Sequence, residues 1–195
     1  MIKIALAGNP NSGKTTVFNV LTGKLERVGN WSGVTVAKKE AFLKRRYNPT
    51  GEPVLIVDLP GAYSLDAYTK DEQQASDVIL KENIDVIINI VDASNLERSL
   101  YLTTELKKLG IPMVVALNKS DIVERRKTVI DPSVLEEHLE CSVVFTRARS
   151  KMGLGNLIMT ALEKGEKVHR GTTRKRQSKR SRRKGHKNRP SSGCH

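Results

Sequence analysis

The sequence predicts an open α/β sheet of six strands, mostly parallel, with helices on both faces. Three observations lead there. Apolar runs of strand length, rich in Val and Ile, recur between residues 2 and 146, and such runs suit strands buried on both faces of a parallel sheet. Stretches with helical spacing alternate with them. The turn motifs of the chain fall at the carboxyl ends of the runs, where sheets of this kind bind ligands.

The elements follow in order. "IKIALA" (2–7) is the first strand, and residues 14–22 the first helix. "VAKKEAFLKRR" (36–46) is more polar and reads as an edge strand. "PVLIVDLP" (53–60) is a buried strand, followed by a helical pattern over 70–82. "DVIINIVDAS" (85–94) leads into a helix over 96–109, and "PMVVALNKSD" (112–121) is the next strand. A helix over 132–140 has Asp131 as its N-cap and Pro132 at its first position. "CSVVFT" (141–146) closes the sheet, and a helix over 155–164 packs behind it.

Composition divides the chain in two. Residues 165–195 carry twelve Lys/Arg and one acid, a net +11, whereas residues 1–164 are nearly balanced at +2. The tail has no Leu, Ile, Phe, Tyr, Trp or Met, too little apolar surface to offset the entropy of ordering it. Residues 1–164 are therefore expected to be one folded domain and 165–195 a disordered basic tail that meets polyanions non-specifically. No run of about 18 apolar residues spans a membrane. "MIKIALAG" is too short and interrupted for a secretory signal. Cys141 and Cys194 are far apart and unpaired in pattern, which suits a reducing, cytoplasmic compartment. His169, His186 and His195 lack ligand spacing.

Three motifs carry chemistry. "GNPNSGKTT", comprising Gly8, Asn9, Pro10, Asn11, Ser12, Gly13, Lys14, Thr15 and Thr16, follows a strand and opens a helix. That pattern places the chain among P-loop nucleoside triphosphatases, with a three-layer fold. Its backbone N–H groups and the helix N-terminus cradle phosphates, Lys14 reaches the β- and γ-phosphates, and the Thr15 hydroxyl ligates Mg²⁺. "DLPG", comprising Asp58, Leu59, Pro60 and Gly61, ends a strand. Asp58 there holds Mg²⁺ through water, and the Gly61 N–H meets the γ-phosphate. Alone, this motif is weak. "NKSD", comprising Asn118, Lys119, Ser120 and Asp121, ends another strand. An ionised carboxylate only accepts hydrogen bonds, so Asp121 takes the two donors of guanine and rejects adenine, whose ring nitrogen is an acceptor. Lys119 lies along the base and Asn118 braces the loop.

In this order the motifs resemble a translation-factor-class GTPase. The likeness sharpens in "RVGNWSGVTV" (27–36), "DLPGAYSL" (58–65) and "DASNLERSLYLTTEL" (92–106). With the phosphate loop, these resemble the G domain of FeoB, the bacterial and archaeal ferrous-iron transporter, over residues 1–164. The resemblance implies GTP hydrolysis to GDP with Mg²⁺, regulation of iron uptake, and a membrane-embedded transport partner at the inner membrane face. It makes 23–36 the first switch loop, with Gly33, Val34 and Thr35 over the nucleotide and Thr35 sensing Mg²⁺. Trp31 then either shields the ribose and phosphate edge, contacts another module, or packs on the body. Asn11 occupies the position that resembles the asparagine of potassium-activated GTPases, and otherwise hydrogen-bonds within the loop.

The chain departs from the family pattern in three places. The base loop is "TRARSKMG" (146–153), with Arg147 where a small serine is usual. The Ala148 N–H is still expected to donate to guanine O6. Ala62 stands where Ras-like enzymes carry a water-orienting glutamine. The basic tail stands where FeoB continues into a helical domain and a membrane channel. Two other readings compete: a ribosome- or RNA-associated GTPase gripping phosphate through the tail, and a truncated fragment that folds without function.

Overall fold

A computed structural model describes residues 1–23, 37–65, 79 and 82–167, with the backbone alone at 27–30, 37 and 38. In chain order the elements are β1 (Ile2–Gly8), α1 (Lys14–Thr22), β2 (Arg27–Asn30), β3 (Ala37–Phe42), β4 (Val54–Asp58) and β5 (Val86–Asp92). There follow α2 (Leu96–Lys108), β6 (Met113–Asn118), α3 (Ser120–Arg125), α4 (Pro132–Leu139), β7 (Ser142–Phe145) and α5 (154–167).

The strands form one sheet in the order β2-β3-β4-β1-β5-β6-β7. β4, β1, β5, β6 and β7 run parallel, while β3 and β2 add antiparallel at one edge. All six expected strands are present. The seventh, β2, lies inside the stretch read as a loop, and it displaces β3 from the edge. Its sequence, Arg-Val-Gly-Asn, has little strand propensity; backbone pairing of Arg27 to Glu40 through Asn30 to Ala37 makes it a strand.

Alternation along each strand sends side chains to two cores. On one face Ile4, Leu6 and Ile88 pack with Val17, Phe18 and Leu21 of α1 and with Leu157 and Ile158 of α5. On the other, Ala5, Ile87 and Val115 pack with Leu102 and Leu106 of α2. The Val/Ile runs are largely apolar because both of their faces are covered; the exception, Asn89 buried in β5, donates its amide to the Thr103 hydroxyl at 2.6 Å. Phe18 and Leu21 are fully buried, each worth about 1.5–3 kcal/mol relative to exposure.

The termini of the helices follow local chemistry. Gly13 and Gly23 flank α1 in left-handed conformation, and the Gly23 N–H donates to the Asn19 carbonyl. Asp131 caps α4 by accepting from the Ser133 N–H at 2.8 Å, with Pro132 behind it. At the far edge of the sheet the Val143 N–H donates to Glu136 Oε1 at 2.8 Å, which covers a strand amide that would otherwise invite pairing.

Two boundaries differ from expectation. β6 stops at Asn118, because Lys119 adopts φ 63° and turns the chain into α3, a helix the run "NKSD" concealed. α5 continues to residue 167, three residues into the expected tail, and Gly165 in it lies against Ile2 and Val86. Of the helix expected over 70–82, only Ile79, helical and buried, and residue 82 are among the described residues. Trp31, Gly33, Val34, Thr35 and the tail from 168 lie outside them.

Candidate functional site

The carboxyl ends of β1, β4, β6 and β7 open on one side of the sheet, and the segments that follow them build a continuous depression. Its first part, of about 330 Å³, is lined by Asn9, Pro10, Lys14, Thr15 and Gly61 among others. Its second part, of about 520 Å³, is lined by Lys119 and Asp121 of "NKSD", by Arg125 at the end of α3, and by the 147–150 loop, including Ala148. Asn11, Gly13 and Thr16 line both, so the two parts join across the start of α1.

The phosphate-loop end is held by close backbone approach. A Cβ on Gly8 would sit 2.6 Å from the Ile90 carbonyl oxygen, and one on Gly13 would sit 2.2 Å from Asn118 Nδ2. Gly13 also has φ 97°, so both size and dihedral demand glycine there. Asn11 takes φ 65°, and the Ser12 N–H donates to the Asn9 carbonyl at 3.1 Å. Gly61 rests on Pro10, a prospective Cβ being 3.5 Å away. Ser12 Oγ and Asn9 Oδ1 are buried without a hydrogen-bond partner. The Asn9 amide donates instead to the Arg98 carbonyl at 3.2 Å, and the Arg98 guanidinium stacks 4.2 Å above the Tyr63 ring.

Lys14 Nζ donates to Asp58 Oδ1 at 2.5 Å, and both side chains are buried. The lysine and carboxylate assigned to phosphate and Mg²⁺ thus satisfy each other. Leu59 and Ser12 are buried beneath the depression, so their contribution to it comes through the backbone.

At the other end Asn118 is the central brace. Its Nδ2 donates to the Ser12 carbonyl at 2.9 Å, and its Oδ1 accepts from the Ala148 N–H at 3.0 Å and the Thr146 hydroxyl at 3.4 Å. The bracing role expected of Asn118 is what the structure has. The Ala148 N–H, expected on guanine O6, here donates to Asn118, because that oxygen faces it across the loop. Lys119 Nζ donates to Asp92 Oδ2 at 2.5 Å. Asp92 also accepts from the Ser94 N–H and hydroxyl. Burial pushes the Asp92 carboxyl up, but the bonds from Lys119 and Ser94 and the Lys119 charge outweigh it and hold it below its ordinary value.

Asp121 accepts from Arg125. Arg147, the departure from the family pattern, lines the cavity with its guanidinium already engaged: its Nε donates to Ser120 Oγ at 3.0 Å and its Nη2 pairs with Glu124. The loop that carries it depends on Gly153, at φ 75°, where a Cβ would come 2.1 Å from the Phe145 carbonyl oxygen.

Sequence reasoning assigned no role to Asp92, Arg125 or Gly153. Asp92 stood in a quoted motif, and the glycine after the base loop was visible. Arg125 lay in a segment without motif, so nothing marked it.

The family model "Ferrous iron transport protein B" matches residues 2–161. The chain belongs to the FeoB family. The Fe(2+) transporter FeoB of Salmonella typhimurium strain LT2 is 52% identical over 147 residues, which are 73% of this chain and 18% of that protein. Its counterpart in Escherichia coli K12 is 51% identical with the same coverage. The chain therefore spans about a fifth of the length of these relatives. The cytosolic domain of T. maritima FeoB in its GMPPNP form superposes with a TM-score of 0.78 at 40% identity, covering 84% of this chain and 63% of that one. A single-residue mutant of S. thermophilus NFeoB bound to GDP superposes at 0.76 with 44% identity, over 83% and 61%.

Proposed function

We propose that this chain binds GTP and GDP with Mg²⁺, hydrolyses GTP slowly, and so regulates ferrous-iron uptake through a membrane-embedded transport component. The observation that carries the reading is the continuous depression, which joins a phosphate loop at one end to Asp121 and Lys119 at the other. Its two parts suit the two ends of a guanine nucleotide. GMPPNP and GDP in the FeoB structures above support the same ligand class.

Backbone N–H groups of residues 8–16 and the Lys14 ammonium hold the β- and γ-phosphates. To reach them, Lys14 exchanges Asp58 for phosphate. The released carboxylate and the Thr15 hydroxyl are hard oxygen donors, as Mg²⁺ prefers, with Thr35 completing the set from the first switch. Bound Mg²⁺ supplies neutralisation of charge on the phosphate oxygens. Gly61 donates its N–H to the γ-phosphate, and Gly33 and Val34 belong to the proposed nucleotide-binding set. Ala62 has no group with which to orient water, which makes intrinsic hydrolysis slow. Asn11, which lines both parts, would hold K⁺ through its amide oxygen, and the ion would supply further positive charge against that developing on the phosphates. Asp121 accepts from guanine N1–H and the exocyclic amine, Lys119 covers the base, and Ala148 turns its N–H to O6.

Among the described residues no helix is long and apolar enough to cross a membrane. We place the passage of iron in the membrane-embedded component, with this domain at its cytoplasmic face. Fluorescent-nucleotide titration tests the reading. GTP and GDP should bind and ATP should not, and Asp121→Ala should remove the preference. Equal affinity for ATP and GTP would dismiss it.

A further inference from the structure

Asp121 does not stand alone in its pocket. It lies in the first turn of α3 and Arg125 in the last, at a spacing of four that puts both on one helix face. Arg125 donates twice to this one residue: Nη2 to the carboxylate Oδ2 at 2.9 Å, and Nε to the backbone carbonyl at 3.2 Å. The second bond fixes the guanidinium over the turn, and the first then holds the carboxylate in one rotation about its Cβ–Cγ bond. That torsion is otherwise broad. Arg147 faces the same cavity, but its guanidinium is taken by Ser120 and Glu124. Among the described residues, no donor other than Arg125 reaches the Asp121 carboxylate.

We propose that Arg125 is a positioning residue for guanine recognition, setting both oxygens of Asp121 in the plane of the base; this rests on the guanine reading of the site given above. Each carboxylate oxygen has more than one lone-pair position, so Oδ2 holds Arg125 and still accepts from the base. Guanine presents two donors side by side, N1–H and the exocyclic amine, and needs both oxygens aligned. Hypoxanthine presents N1–H alone and tolerates a rotated carboxylate. Arg125 therefore discriminates between these two purines and is indifferent to the phosphates.

The test is titration of GDP and IDP into the full chain and into Arg125→Ala, Arg125→Lys and Asp121→Ala. Arg125→Ala should weaken GDP about two- to fivefold, the range of an exposed ion pair, and leave IDP unchanged. Arg125→Lys, which keeps the charge without the fork, should fall between. An unchanged GDP/IDP ratio in Arg125→Ala, or tighter GDP, overturns the brace if Asp121→Ala still abolishes guanine preference. If Asp121→Ala keeps that preference, the guanine reading itself falls, and the brace with it.

Discussion

The two ends of the cavity hold their charges in opposite ways. At the phosphate end Lys14 and Asp58 are 10% and 7% exposed and come from segments 44 residues apart, the start of α1 and the end of β4. At the base end Asp121 and Arg125 are 47% and 72% exposed and sit one helical turn apart. A buried charge whose partner is removed keeps its desolvation cost with nothing against it. An exposed one turns to water. The first pair therefore bears on whether the empty domain stays folded, and the second only on the direction in which a carboxylate points. In the proposed nucleotide complex Lys14 exchanges its carboxylate for phosphate, whereas Asp121 and Arg125 keep the bond they already make.

The largest expected effect tests this contrast directly. Lys14→Ala should lower the stability of the nucleotide-free domain by about 3 kcal/mol, the scale of a broken buried pair, read from urea unfolding. Lys14→Met combined with Asp58→Leu should recover most of that loss while still abolishing nucleotide binding. If Lys14→Ala costs no more than Arg125→Ala, the contrast between the ends is wrong.

A middling effect concerns the rim between them. Hydrolysis should run faster in potassium than in sodium, and Asn11→Ala should erase the difference while GDP affinity stays nearly intact. Equal rates of the unaltered chain in the two salts would return Asn11 to a loop-bracing role.

The smallest effect sharpens the base end. The Asp92 carboxyl is held below its ordinary value when folded. Its bonds to Lys119 and Ser94 thus stabilise the domain fully above the unfolded value, about pH 4, and that contribution is lost as pH falls through the lower folded value. Asp92→Asn should show a shallower loss of stability below about pH 4 in acid titration followed by circular dichroism. An identical acid limb would mean that the Lys119 contact carries no weight.

Residues close together in the chain were legible from sequence. Gly8, Gly13, Lys14 and Thr15 form one turn between a strand and a helix, and that turn is specified by dihedral freedom and spacing. The apolar runs of β1, β4, β5 and β6 announced a sheet covered on both faces, because burial on both sides leaves few polar positions. The Asp131–Pro132 start of α4 was readable for the same reason: the cap is made within three residues.

The tertiary structure decided what depends on distant segments. β2 is a strand through its pairing with β3, not through the preferences of Arg-Val-Gly-Asn. α3 was hidden because a single left-handed Lys119 turns a strand into a helix, and lysine announces no such turn. Lys119 meets Asp92 across 27 residues, and Arg147 meets Ser120 and Glu124 across similar gaps. A motif names the groups that will face a ligand. Which partner each charge keeps until the ligand arrives is set by electrostatics between loops that only the folded sheet brings within reach.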